Sequence, residues 1–155
     1  QMLLEEPVMP LRIKLPSKER IIINGAVLEN AGEATTIILH NHADILRRKE
    51  VMSEADAQSP ARRVYYALQC AYMFEDERPR YQQMAQELLN QYSSAAPSSA
   101  DIITKIQTEI GAGRLYNALR ASHSLIEHET ERFKSLGLWP GLEEESEFYD
   151  EDQDA

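Results

Sequence analysis

The chain has 155 residues, an apolar fraction of 43% and a formal net charge of −10 at pH 7. This length fits one domain or two small layers that share a core, and the apolar fraction excludes wholesale disorder. The single cysteine, Cys70, excludes an intramolecular disulfide and a multi-cysteine zinc site and is typical of a reducing cytosol. No apolar run approaches the roughly 20 residues that span a bilayer, and residues 1–10 lack the basic start of a signal peptide. A soluble, cytoplasmic protein is therefore expected.

The negative charge is concentrated near the end of the sequence. Residues 143–154 hold eight carboxylates and no base, and the rest of the chain carries a net charge of only −2. Residues 10–63 contain nine Lys and Arg against seven Asp and Glu. The overall acidity therefore does not exclude an anionic ligand elsewhere, although phosphate binding depends on cations. The acidic segment is either a solvated extension or a mimic of RNA that occupies a basic surface in the free protein.

The first third of the chain carries the patterns of short β-strands. "LRIKL" (11–15) alternates apolar and cationic residues, which predicts a half-buried strand with Arg12 and Lys14 on its exposed face. Asn24-Gly25 separates two β-branched stretches and is a strong hairpin signal. A Thr/Ile-rich stretch (34–39) and the short "DILRR" add further strands. Together they predict an antiparallel meander that needs a packing partner.

After Met52 the pattern changes to that of helices. Ser59-Pro60 combines a favourable cap with Pro at the first helical position. The inward positions predicted for four helices are Val64, Leu68, Ala71 and Tyr72; Tyr81, Met84, Leu88 and Tyr92; Ile102, Ile106 and Ile110; and Leu115, Leu119, Ser122, Ile126 and Phe133. Gly137 is expected to end the last helix.

These elements predict an α+β protein in which a small sheet, an N-terminal antiparallel β-meander, precedes a bundle of about four helices. The expected organisation has four parts. They are a flexible N-terminal extension (1–9), a β-rich subdomain (10–52), a helical subdomain (53–137) and an acidic, disordered tail (138–155).

The sequence holds no pattern of catalytic residues. It has no Gly-rich phosphate loop, no nucleophile elbow and no cysteine-based metal site. His40-Asn41-His42 lacks a third ligand at a defined spacing and indicates a strand end rather than a zinc site, and Cys70 is expected in the core. The acidic residues of the last helix predict a solvated face (Glu127, Glu129 and Glu131). We therefore expect a protein that is not an enzyme and has no cofactor and no metal.

The cations of the first half are the main candidates for contact with a ligand. Arginine forks fit phosphates and guanine edges, and in a small sheet these cations come within reach of one another. From charge alone, a solvated surface of mixed charge is the favoured alternative. The cations are Arg12, Lys14, Lys18 and Arg20 from the first strands, Arg47, Arg48 and Lys49 from the last, and Arg62 and Arg63 from the first helix.

Several stretches resemble the FlbT family of flagellar biosynthesis regulators of alphaproteobacteria. They are "MPLRIKL" (9–15), "ERIIINGAVLEN" (19–30), "ADILRRKEVMSEADAQSPARRVYYALQCAYM" (43–73) and, more loosely, "GRLYNALRASHSLIEHE" (113–129). Two features depart from the family. Pro16-Ser17-Lys18 stands where a Gly is expected in the turn, and the acidic tail extends beyond the family's usual end.

The resemblance implies a post-transcriptional regulator of flagellin synthesis. Family members are described as associating with the 5′ untranslated region of flagellin mRNA and promoting its degradation, and some are said to act positively instead. The partners that the resemblance implies are the flagellin mRNA leader, the regulator FlaF and flagellin itself.

A second similarity suggests how RNA would be held. "RIIING", a strand, a Gly turn, another strand and "ILRRKEV" follow the order of elements in the carbon storage regulator proteins, which are small RNA-binding sheets that work as intertwined dimers. By this similarity Arg47 or Arg48 would contact a guanine-bearing loop or its phosphates, supported by Arg12, Lys14 and Arg20.

The leading hypothesis is an RNA-associated regulator in which the sheet supplies the contact surface. The helical half is then a scaffold, a homodimer interface or a docking site. The alternative is a protein-binding adaptor or chaperone that engages flagellin or FlaF through the helices and affects mRNA indirectly. The predicted RNA-contact residues are Arg12, Lys14, Arg20, Arg47, Arg48, Lys49, Arg62 and Arg63.

Overall fold

The computed structural model describes residues 10–138. The extension expected at 1–9, and the tail expected at 138–155 apart from its first residue, lie outside the described residues. Five strands precede four helices, which confirms the predicted α+β class. The strands are β1 (Leu11–Leu15), β2 (Arg20–Ile23), β3 (Ala26–Glu29), β4 (Thr35–Leu39) and β5 (Ile45–Arg47), and the helices are α1 (Pro60–Met73), α2 (Arg78–Ala95), α3 (Ala100–Gly111) and α4 (Leu115–Ser135).

The chain divides into two compact units. Within the described residues these are a sheet unit, 10–50, and a helical unit, 51–138. In the helical unit the side chain of Gln69 pairs with the backbone of Met52, whose N–H donates at 2.7 Å and whose carbonyl accepts at 2.9 Å. Met52 therefore packs with the helices, although the sequence pattern placed it with the strands. None of the helices in the described part of the chain is both long and apolar enough to cross a membrane.

The strand order is a correction to the expected meander. β1 pairs with β4, whereas β2 lies between β3 and β5 in a second sheet, and every pairing is antiparallel. The physical reason lies in the segments that link the strands. The side chain of Asn30 donates hydrogen bonds to the carbonyls of Leu15 and Glu33, each at 2.9 Å, and so holds the end of β1 beside the start of β4.

The predicted hairpin between β2 and β3 is confirmed. Asn24 and Gly25 have φ angles of 51° and 83°, the left-handed conformation that a two-residue hairpin turn requires at both positions. The hairpin is therefore specified by its two turn residues, independently of the order of the other strands.

The inner faces of the two sheets share one apolar cluster. Its buried centre consists of Ile13, Leu15 and Ile21, and aliphatic side chains of β2, β4 and β5 pack around it (Ile23, Ile37, Leu39 and Ile45). Alternation along β1 leaves Arg12 and Lys14 exposed, as predicted.

A buried ion pair joins three segments of the sheet unit. Glu19 is only 5% exposed, and its Oε2 accepts a hydrogen bond from Arg47 Nη2 at 3.2 Å. The same nitrogen donates to the carbonyl of Lys14 at 2.6 Å. Because Lys14 lies in β1, Glu19 directly before β2 and Arg47 in β5, one guanidinium connects all three.

In the helical unit a carboxylate of α4 caps α1. Ser59 is the N-cap residue of α1 and Pro60 its first residue, as predicted. Glu129 is 5% exposed, and its carboxylate accepts hydrogen bonds from the Ser59 hydroxyl and, at 2.9 Å, from the Ala61 N–H. The prediction that Glu129 lies on a solvated face is wrong because the carboxylate satisfies donors that the first turn of a helix leaves unpaired.

The buried faces of two helices differ slightly from the predicted ones. In α2, Ala85 and Leu89 are fully buried, whereas Met84 is 38% exposed. In α3, Ile103 is buried and Ile102 only partly so. Small residues such as Ala85 permit close helix packing, but a prediction based on the spacing of large apolar residues does not include them.

Replacing Arg47 should destabilise the sheet unit strongly. Arg47→Met leaves the Glu19 carboxylate buried without its counter-ion, which is expected to cost about 2–4 kcal/mol of unfolding free energy. The double variant Glu19→Met/Arg47→Met removes both charges and should be more stable than Arg47→Met alone. Urea titrations followed by circular dichroism measure the unfolding free energies of both variants. A double variant less stable than the single one would contradict this interpretation.

Replacing Lys18 by glycine should stabilise the protein. Lys18 has a φ of 69°, and the left-handed region costs a non-glycine residue roughly 1 kcal/mol or more. Lys18→Gly should therefore raise the free energy of unfolding by about 0.5–1 kcal/mol, once the cost of ordering the more flexible glycine backbone is subtracted from the strain that is relieved. Lys18→Ala removes the same charge but keeps the strain, and an equal gain from it would show that charge is the cause.

Removing the Glu129 cap should loosen α1. Glu129→Ala leaves the Ala61 N–H and the Ser59 hydroxyl without this acceptor and is expected to cost about 1–3 kcal/mol. Cys70 provides a readout, since burial raises the pKa of its thiol and suppresses the reactive thiolate. Alkylation of Cys70 should be slow in the native protein and faster in Glu129→Ala, with the solvent-exposed Glu131→Ala as the matched control. Equal alkylation rates in the two variants would refute the capping role.

Candidate nucleic-acid interface

The structure divides the eight predicted contact residues into three groups. Five are exposed on the sheet unit, one lies in the buried ion pair and two belong to the helical unit. The exposed cations of the sheet unit are Arg12, Lys14, Arg20, Arg48 and Lys49.

Arg12 and Lys14 point from the outer face of the β1–β4 pair. Their direct cross-strand neighbours are Ile38 and Thr36, respectively, and such neighbours lie on the same face of a sheet. Ile38 is 41% exposed. This face therefore combines two cations with a hydroxyl and an accessible apolar side chain.

Arg48 and Lys49 occupy a short 3-10 turn (Arg48–Glu50) directly after β5. Because the guanidinium of Arg47 binds the carbonyl of Lys14, this turn begins beside the end of β1 that carries Lys14. We name the four exposed residues Arg12, Lys14, Arg48 and Lys49 the basic edge. Two elements distant in sequence thus place four positive charges on the sheet unit.

Arg20 and Arg47 are engaged within the sheet unit itself. Arg20 Nε lies 3.1 Å from Glu29 Oε1 in an exposed ion pair between β2 and β3. The Arg47 side chain is 30% exposed and binds the buried Glu19 carboxylate. Arg47 therefore holds together the strands that carry the basic edge, and the Glu19 carboxylate compensates its charge.

The two cations of α1 belong to the helical unit. Arg62 is 4% exposed and thus buried, so its side chain does not offer a contact surface. Arg63 is exposed and lines a cleft in that unit. The structure therefore does not place either residue among the cations of the sheet unit.

The chemistry of the basic edge favours phosphates and base edges. The first Phe, Tyr or Trp in the sequence is Tyr65, so the stacking groups of residues 10–50 are limited to guanidinium planes and the exposed imidazoles of His40 and His42. Proteins with few aromatic platforms bind RNA through cations on phosphates and hydrogen bonds to base edges. Arg48 and Arg12 are suited to both, whereas Lys14 and Lys49 are point charges.

Two reactive groups of α1, Cys70 and Tyr66, have raised pKa values because they are desolvated. Cys70 is 3% exposed, in agreement with the core position predicted for it. Burial also raises the pKa of Tyr66, its neighbour on α1, to about 12. Within residues 10–138 no group of three or more His, Cys, Asp or Glu side chains is arranged to hold a metal ion.

Sequence reasoning missed three features of this region. The pairing of Arg12 and Lys14 with Ile38 and Thr36 depends on the strand order, which the meander prediction did not contain. The burial of Glu19 has no local signal, because its partner lies 28 residues later. The role of Arg47 has no local signal either, because nothing in the surrounding sequence distinguishes it from the neighbouring Arg48.

Comparisons with known proteins identify relatives of the chain. A family described as "Flagellar protein FlbT" matches residues 11–133. The chain is 34% identical over 123 residues to the "Probable flagellum biosynthesis repressor protein FlbT" of Rhodopseudomonas palustris (strain TIE-1), which covers 79% of this chain and 97% of that protein. It is 30% identical over 126 residues to the "Flagellum biosynthesis repressor protein FlbT" of Caulobacter vibrioides (strain CB 15), with coverages of 80% and 89%.

The family match includes all of the basic edge and ends before the acidic segment. No solved structure matches the chain, so the comparisons bear on the family and not on the fold. The matched region contains both compact units up to Phe133. On the family match and the identity to these relatives, the chain belongs to the FlbT family of flagellar proteins.

Proposed function

We propose that the chain regulates flagellin synthesis by binding the 5′ untranslated region of a flagellin mRNA through the basic edge and promoting degradation of that message. Its relatives are named as repressors of flagellum biosynthesis, which makes the chain a regulator of flagellar synthesis. The observation that carries the RNA contact is the basic edge, where β1 and the turn after β5 expose four cations. The chain's part in this proposal is binding, and cleavage of the message is left to a nuclease.

Local charge makes this contact feasible in an acidic protein. Residues 10–50 hold seven Lys and Arg against five Asp and Glu, and one of those acids, Glu19, is buried against Arg47. At physiological salt, charges more than about 8 Å away are largely screened. The carboxylates elsewhere in the sequence therefore weaken RNA binding only where they approach the basic edge.

Neutralising the basic edge should reduce RNA affinity and its salt dependence. Each phosphate contact to a single strand contributes about −0.7 to the slope of log affinity against log salt, so four cations give a slope near −3. Arg12→Gln/Lys14→Gln and Arg48→Gln/Lys49→Gln should each lower affinity for a flagellin leader RNA about tenfold or more and make the slope less steep by about 1.4. Fluorescence polarisation over a salt series measures both quantities.

The matched control removes two exposed cations from the helical unit. Arg80→Gln/Lys105→Gln makes the same change in net charge, and its RNA affinity should stay within about twofold of the wild type if binding is local. Equal losses in the control and the basic-edge variants would indicate an effect of net charge alone. Arg47 is left intact because its replacement is expected to destabilise the sheet unit that carries the basic edge.

The alternative is an adaptor that engages FlaF or flagellin and affects mRNA indirectly. It predicts that the purified chain does not bind leader RNA at physiological salt but binds one of these proteins. That pair of results would overturn the proposed RNA contact while leaving the regulatory role of the family in place.

A further inference from the structure

A cleft lies at one end of the helical unit. Its volume is about 280 Å³, and it is lined by the start of α1, the second half of α2 and the last turns of α4. The residues that give it its character are Leu88, Tyr92, Phe133, Arg63 and Arg132. Three helices therefore contribute an apolar wall with two guanidinium groups.

Two guanidinium groups and one carboxylate are the charged groups that line the cleft. Within residues 10–138 neither Arg63 nor Arg132 forms an ion pair with a carboxylate. The one carboxylate that lines the cleft, Glu129, is occupied by the donors of the α1 N-terminus. That N-terminus also contributes the positive end of the helix dipole. A ligand that combines carboxylates with a bulky apolar group would complement this surface.

The size of the cleft indicates a peptide side chain rather than a cofactor. Pockets for small molecules and cofactors usually measure about 300–1,000 Å³, so this cleft lies just below their range. Peptide-binding grooves instead hold single apolar anchor residues and place charges around them. A peptide segment with an apolar anchor beside several carboxylates would therefore fit the cleft.

The chain itself contains such a segment directly after α4 in the sequence. Residues 139–148 read "WPGLEEESEF", with three bulky apolar residues, four glutamates and no base. They follow α4, whose residues Arg132 and Phe133 line the cleft. The helix ends with Gly137 at a φ of 72° and with the Leu138 N–H donating to the Phe133 carbonyl at 2.8 Å, a cap that reverses the chain direction.

We propose that residues 139–148 dock in this cleft within the same chain, with an apolar anchor against Leu88 and Phe133 and glutamates beside Arg63 and Arg132. An extended segment of ten residues spans up to about 33 Å, so length does not limit the contact. The short connection keeps the effective concentration of the segment high, in the millimolar range of short linkers. The proposal thereby places the glutamates of residues 143–147 in the helical unit rather than on the basic edge.

The single tryptophan, Trp139, provides a direct test in the full chain. If the segment is docked, emission from Trp139 should be blue-shifted and protected from acrylamide quenching relative to a synthetic peptide of residues 139–148. Arg63→Glu/Arg132→Glu should shift the emission to that of the peptide and abolish the protection. High salt should have the same effect in the wild type, because the contact is largely ionic.

Two controls separate docking from loss of fold. Lys105→Glu/Arg80→Glu makes the same change in charge on other helix surfaces and should leave Trp139 protected. Replacing Glu143, Glu144, Glu145 and Glu147 by Gln changes no residue of the cleft, yet should release Trp139. Wild-type emission identical to that of the peptide, or protection that survives both the Arg63/Arg132 and the glutamate substitutions, would overturn the proposal.

The same signal distinguishes other occupants. Release of Trp139 by Arg12→Glu/Lys14→Glu, but not by Arg63→Glu/Arg132→Glu, would place the segment on the basic edge and overturn the proposal. Protection that is lost on dilution by about 100-fold would indicate docking into a second copy, since an intramolecular contact does not depend on concentration. That result would also overturn the proposal.

Discussion

The sheet unit depends on the ion pair between Glu19 and Arg47. A carboxylate that is 5% exposed is tolerated only with a compensating charge, and Arg47 supplies it while also binding the carbonyl of Lys14. This guanidinium thus links the end of β1, the start of β2 and β5, which also share the apolar cluster around Ile13, Leu15 and Ile21. Arg48 and Lys49 follow Arg47 directly and lie exposed in the turn after β5. Three consecutive cations thus have two roles: one supports the fold and two face solvent.

Local signals in the sequence predicted the local structure well. Asn24-Gly25 specified the hairpin, Ser59-Pro60 specified the start of α1, and Gly137 specified the end of α4. Asn24-Gly25 and Gly137 adopt left-handed backbone that few residue types tolerate, whereas Ser59 caps α1 through a side-chain oxygen that accepts from the Arg62 N–H. The alternation in "LRIKL" likewise identified the exposed cations of β1. The α+β class follows from such signals because it requires only the type and order of the elements.

Contacts between distant residues could not be predicted in the same way. Glu127, Glu129 and Glu131 look alike in the sequence, and only the position of α1 makes Glu129 a buried cap. Arg47 and Arg48 differ only in which one faces Glu19. The strand order depends on hydrogen bonds from the side chain of Asn30, and without it Ile38 and Thr36 cannot be assigned to the face of Arg12 and Lys14. In each case the deciding partner is remote in sequence, so no local pattern of residues identifies it.

Charge is distributed so that the acidity of the chain need not oppose RNA binding. A carboxylate segment competes with RNA only where it meets the same cations, since screening confines exposed charges to about 8 Å at physiological salt. If residues 139–148 lie against Arg63 and Arg132, two of their four glutamates can pair with guanidinium groups of the helical unit. The basic edge then remains accessible to a phosphate backbone. Salt weakens both the contact of RNA with the basic edge and the contact of residues 139–148 with the cleft. RNA affinity therefore falls with ionic strength even as this segment is released. A segment that blocked the basic edge would instead be released from it by salt, which would flatten the dependence of RNA affinity on ionic strength.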